Sequence, residues 1–158
     1  MRDVLAGIVA VLLLLVAASL ATTLQAYRRR RQQAHSAEEA LGRTIVAELP
    51  VGDELVLVTE SGTHFYYGDR PIEKDGIIAV RILINGSPIA AHTSPRHAKN
   101  DTRPATSFED RPEGIARDRW DVAVETLAGT TLIQCGAIRE RVSQELARKI
   151  FEAIKRAI

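Results

Sequence analysis

The chain has 158 residues, with 21 lysines and arginines against 20 aspartates and glutamates, and one cysteine. The formal charge of +1 hides an uneven distribution, because 16 basic and 19 acidic side chains follow Arg31 and leave that part at −3. A nucleic-acid binder needs a basic face on its folded part, so no nucleic-acid partner is expected. Cys135 alone cannot close an intramolecular disulfide, which fits a reducing compartment.

Val4 to Ala26 are 23 consecutive positions without a charged side chain, and Arg28, Arg29, Arg30 and Arg31 follow at once. At about 1.5 Å per residue a helix over this run reaches roughly 34 Å, enough for a hydrocarbon core of about 30 Å. The expectation is a transmembrane anchor over residues 1–27 and a basic juxtamembrane linker over 28–36. Basic residues near a span favour the cytoplasm. Only Arg2 and the terminal amine precede this run, offset by Asp3, so the N-terminus is expected outside and the C-terminal part in the cytoplasm. A cleaved signal peptide fits less well, because its apolar core is usually about 7–15 residues and follows a basic segment. The arginines also offer a membrane-surface contact, each worth about 1 kcal/mol near an anionic leaflet.

Residues 37–158 are expected to form one soluble α+β domain. Ser36-Ala37-Glu38-Glu39 has capping-box spacing, which predicts a helix starting at Ala37 with Ala37, Leu41, Ile45 and Leu49 on one face. Pro50 and Gly52 end it. From there the period becomes two. Glu54–Thr59 and Thr63–Gly68 read as strands around a Ser61-Gly62 turn, and Asp69-Arg70-Pro71 reads as a break. Ile77–Ile84 follows, with Arg81 on a face that is at least partly wet. Asn85-Gly86 supplies the two positive-φ residues of a type I′ hairpin turn. Ile89-Ala90-Ala91 lies on the return strand, and Pro88 puts that strand at an edge, because proline cannot donate to a ladder.

Residues 93–118 carry three prolines and mixed charges and read as a long mobile loop. Trp120, Val122, Val124 and Thr126 then alternate with Asp121 and Glu125 as a half-buried strand. Gly129 turns the chain into Thr131–Cys135. A helix over about 143–158 closes it, with Leu146, Ile150, Ile154 and Ala157 as its apolar stripe. The sum is a mainly antiparallel sheet of about six strands, a preceding short helix and a C-terminal amphipathic capping helix.

The segment DVAVETLAGTTLIQCGAIRERVSQELARKIFEAIKRAI, residues 121–158, runs from a hairpin through a glycine into an amphipathic helix. In this it resembles the pleckstrin-homology-like domains of bacterial membrane proteins. That resemblance implies a binding or scaffolding module without catalysis. The family has seven strands where six are legible here, and its basic lipid-contact pattern is missing between the early strands. No ligand residue carries over.

Chemistry-bearing side chains are sparse. His92 and His97 lie five apart with Asp101 nearby, and His64 stands in another strand. Zinc needs three or four convergent ligands on a stiff scaffold, so no metal or cofactor is expected. Cys135 has no base beside it in sequence and reads as a structural thiol. Ser143 reads as a helix N-cap. No catalytic residue is assigned. In His64-Phe65-Tyr66-Tyr67, alternation puts Phe65 with Tyr67 and His64 with Tyr66, so one pair is core and the other is a candidate surface. The candidate partner surface comprises Tyr66, Ile89 and His92, with the Ile89–His92 edge open to strand pairing. The reading is a single-pass, membrane-anchored, non-enzymatic binding or scaffold protein whose partners are the lipid bilayer and an unidentified protein. Two alternatives stand beside it. One is a subunit of a larger membrane complex, packed through Gly7, Val11 and the small Ala17, Ala18, Ala21 row. The other is a membrane-tethered hydrolase using His92 or His97 with Asp101.

Overall fold

The computed structural model describes residues 2–52, 54–97 and 118–158, with helical side chains described from Leu12 onward. The chain divides into two compact units, residues 1–41 and residues 42–158.

The first unit is one helix, α1, Arg2–Ala40. The arginines at 28–31 and the stretch to Ala40 continue the helix, so residues 28–36 are helical. Leu12, Leu13, Leu14 and Leu15 are 56–69% exposed. Four successive positions at 100° spacing circle a helix, so α1 is apolar on all sides there. Among the described residues no helix is long and apolar enough to cross a membrane. From Leu12, where described side chains begin, to Ala26 the uncharged run is 15 residues, or about 22 Å. The side chains of residues 4–11, which bring the run to its expected length, lie outside the described part.

The helix expected over residues 37–49 does not form as a separate element. α1 ends at Ala40, and Gly42 follows with φ +70°, a left-handed residue that ends helices. The capping-box serine, Ser36, sits inside the last turns and donates to the Gln33 carbonyl at 3.0 Å. The next element is strand β1, Thr44–Val51, in place of helix. Ile45 and Leu49 lie four apart, but the buried residues are Val46, Ala47 and Leu49: a bulge falls between Ile45 and Ala47, and alternation runs from Ala47 to Leu49. Pro50 is tolerated because β1 is hydrogen-bonded on one side only.

The second unit is α+β. Strands β1, β2 (Glu54–Glu60), β3 (His64–Tyr67) and β4 (Arg70–Glu73) form one antiparallel sheet in the order β1-β2-β3-β4. Strands β5 (Ile77–Ile84), β6 (Ser87–Thr93), β7 (Arg119–Thr126) and β8 (Gly129–Ala137) form another in the order β6-β5-β7-β8. Eight strands in two sheets therefore replace the expected six in one. The two additions are β1 and β4. In β4, Pro71 is no break: it sits on an edge strand opposite Tyr66. The C-terminal helix α2, Arg141–Ala157, packs on β1, β5, β7 and β8. One core unites them: Leu49, Val58, Phe65, Ile72, Val80, Val122, Val124, Ile133, Ile150 and Ile154 are all buried in it.

Two turn readings hold in detail. Asn85 and Gly86 have φ +51° and +83°, the pair of positive values that a type I′ turn demands. β6 lies at the end of its sheet, as Pro88 requires. The Asn85 side chain also bonds beyond its own turn. Its Oδ1 accepts from the backbone N–H of Asp118 at 2.5 Å and of Arg119 at 3.2 Å. The β5–β6 turn is thereby tied to the start of β7. Asn85→Ala is expected to lose about 1–2 kcal/mol, from the left-handed backbone and the two orphaned donors. Asn85→Gly should lose less, because only the acceptor goes. Urea denaturation followed by the emission of Trp120, the single and buried tryptophan, measures both.

Two readings of helix α2 change. Its N-cap is Glu140, and Ser143 is a buried residue of the first turn whose hydroxyl donates to Glu140 Oε2 at 3.1 Å. Spacing of four offers the pairs Glu145–Lys149 and Glu152–Arg156, but the ion pairs formed are Arg141–Glu145 at 3.3 Å and Glu152–Lys155 at 3.9 Å. All four positions are solvated, where such pairs contribute little.

Candidate interaction surface

The aromatic run on β3 divides as alternation requires. Phe65 is buried opposite Ile72, and Tyr67 packs against the same core. His64 and Tyr66 take the other face, with ring centroids 6.0 Å apart. The guanidinium of Arg43 stands 3.6 Å from the Tyr66 centroid, a cation–π contact that covers one side of the ring. Arg43 carries no sequence signal, since it lies 23 residues away between a helix and a strand. On the core side, Lys74 Nζ is 5.0 Å from the Phe65 centroid and 2.7 Å from Glu60 Oε1.

Ile89 and His92 belong to β6, in the other sheet, so the structure does not join them to Tyr66 through a shared strand or sheet. On β6 they border a geometrically open edge. Its partner on one side is β5, in a register from Ala79↔Thr93 to Ile84↔Ser87, with a bulge at Ile89. Among the described residues no strand pairs with its other side. Ile89 is 55% exposed, Ala91 is exposed, and His92 is half-buried. Beyond the strand the chain is clipped down: Ser94 N–H donates to Ile78 O at 2.8 Å, and the His97 ring meets the Asp75 carbonyl at 3.1 Å. Arg96 pairs with the Asp75 carboxylate.

The outer face of the second sheet departs from expectation. Asp121 and Glu125 mark it as wet by sequence, yet Asp121 is 1% exposed, and Ala79, Leu83 and Ala123 are buried with it. The charges are paired. Arg81 forks onto Glu125, Nε to Oε1 at 2.8 Å and Nη2 to Oε2 at 3.4 Å, joining β5 to β7. Arg119 Nε lies 2.6 Å from Asp121 Oδ1, off the hydrogen-bond axis, while its Nη2 donates to Oδ2 at 3.2 Å.

Cys135 lies in the core, and burial, with the Asp121 charge adding to it, pushes its thiol up to about 12. A thiol so placed stays protonated and is a poor nucleophile at neutral pH. His92 stands on β6 and His97 on the turn after it, held to Asp75; Asp101 lies outside the described residues. Among the described residues no group of three metal-ligating side chains forms. Pro71, Glu73, Thr126, Thr130 and Thr131 line an open cleft of about 220 Å³ between β4 and the β7–β8 turn, walled by hydroxyls and one carboxylate. Comparison with family models, with characterised proteins and with solved structures found no match to this chain.

Proposed function

We propose that the chain is a single-pass, membrane-tethered binding or scaffold protein whose α+β unit, residues 42–158, faces the cytoplasm. The observation that carries this reading is the build of α1. Its side chains from Leu12 to Leu15 are apolar around the whole circumference, and the same helix runs without a break into exposed Arg28, Arg29 and Arg30. A helix apolar on every side needs an apolar surrounding. Four successive arginines also circle the helix, which suits a collar at the headgroup level better than a one-sided patch.

Binding in place of catalysis is supported by the chemistry available. The cysteine is protonated and buried, and the four histidines are dispersed over α1, β3, β6 and a turn. The open edge of β6 is the surface offered to a partner. The pleckstrin-homology-like resemblance belongs to this reading. Two antiparallel sheets with a C-terminal helix packed on them favour it, with eight strands in place of seven. The test is fractionation of the full chain from cells, with carbonate extraction and protease treatment of intact spheroplasts. The expected result is a chain retained in the membrane pellet, with its C-terminal unit protected until lysis. Release by carbonate removes the tether, and digestion from outside reverses the orientation.

A further inference from the structure

The edge strand β6 has an unusual composition for its position. Ser87-Pro88-Ile89-Ala90-Ala91-His92-Thr93 contains no lysine, arginine, aspartate or glutamate. Soluble proteins protect an open edge with charges, prolines, bulges or short strands. Here Pro88 and the bulge at Ile89 blunt the first half. Among the described residues, the second half, from Ala90, has none of these devices and bears the two smallest side chains of the strand.

We infer that this edge pairs with the same edge of a second copy of the chain, antiparallel about a two-fold axis near Ala90-Ala91. The charge pattern selects this occupant. In an antiparallel two-fold interface the residues at the axis meet their own copies, so a lysine or glutamate at position 90 or 91 would face its like. This strand carries none, and it can approach itself closely through alanines. A foreign peptide would find no charged residue on β6 to recognise. The remaining requirement is concentration. Pairing of one short edge buries far less than the roughly 1,200 Å² of a stable interface. Two copies held in one membrane meet at a raised effective concentration and with the same orientation, which makes a weak edge sufficient. The inference therefore rests on the tether proposed above and names the partner of its open edge.

A cysteine scan tests it, and the native thiol leaves the background clean, because Cys135 is buried and protonated. Ile89→Cys, Ala90→Cys, Ala91→Cys and His92→Cys are made one at a time in the full chain, which is reconstituted in phosphatidylcholine vesicles and oxidised. Paired strands hold Cα atoms about 4.5–5.5 Å apart, within disulfide reach. Crosslinking of chain to chain is expected to peak at the position on the axis and to fall on both sides. Glu73→Cys, on the edge strand β4 of the other sheet, is the collision control. Adding Ala91→Lys to the Ala90→Cys variant should cut its crosslink about fivefold, since like charges then face each other. Unchanged Trp120 emission shows that the fold is kept. Crosslinking equal at all four positions, or no greater than at Glu73→Cys, overturns the pairing. So does capture of a different protein by the β6 cysteines in cells, without chain-to-chain product. Membrane recovery is scored on the same samples. Chains that leave the pellet overturn the tether, whereas tethered chains without a crosslink overturn the pairing alone.

Discussion

Asp121→Ala is expected to cost about 3–5 kcal/mol of folding stability, the range for removing one partner of a buried ion pair. The carboxylate side chain is 2% exposed and the Arg119 side chain 15%, so the guanidinium left behind has little water to replace its partner. The loss is a desolvation cost more than a lost attraction, and this gives the prediction a second half. Replacing both partners, Arg119→Met with Asp121→Leu, should recover most of the loss, because neither charge then remains to be desolvated. Urea denaturation followed by circular dichroism separates the two variants. If Asp121→Ala costs less than about 1 kcal/mol, the pair is solvated, and the outer face of the second sheet is wetter than its burial indicates. A double variant as unstable as the single one would mean that Arg119 serves a further partner.

These charges also show where the sequence was legible and where it misled. Alternation on β7 correctly placed Trp120, Val122 and Val124 in the core, because a period of two is fixed by backbone geometry. The same alternation made Asp121 and Glu125 look solvated. Their cations lie two residues away on the same strand, Arg119, and on β5, Arg81, and the second of these neighbours depends on strand order, which no local pattern encodes. The type I′ turn was legible because Asn-Gly is one of few pairs able to hold two positive φ values. The edge position of β6 was legible from Pro88 for a similarly local reason. β1 was hidden by coincidence: Ile45 and Leu49 satisfy a helical interval, and Gly42, which reads as a mere weakness within a helix, is the residue that ends it. β4 was hidden because Pro71 marks a break unless the strand is known to be at an edge. At the candidate surface, alternation put Tyr66 opposite Phe65, but Arg43 over its ring could not be foreseen. That contact needs the pairing of β1 with β2 and of β2 with β3.

Gly136→Ala is expected to cost about 3 kcal/mol, from a backbone held at a left-handed φ and from overpacking against α2. Gly136 has φ +114°, and a Cβ built on it would stand 2.4 Å from Ser143 Oγ and 3.3 Å from Ser143 Cβ. Ser143 has little room to yield, since it is buried in the first turn of α2 and its hydroxyl is held by Glu140 Oε2 at 3.1 Å. The new methyl must therefore push the start of the helix away from β8. α2 covers β1, β5, β7 and β8, so the displacement reaches both sheets through Ile150 and Ile154. Ser143→Ala removes the closer of the two atoms and leaves the backbone strain untouched. In the double variant the steric part should be recovered and the φ part retained, giving a favourable coupling of about 1 kcal/mol between the two sites. Strictly additive losses would mean that α2 does not press on Gly136, and that the turn from β8 into the helix is looser than these distances require. Thermal melts of the wild type, the two single variants and the double variant supply the four values of the cycle.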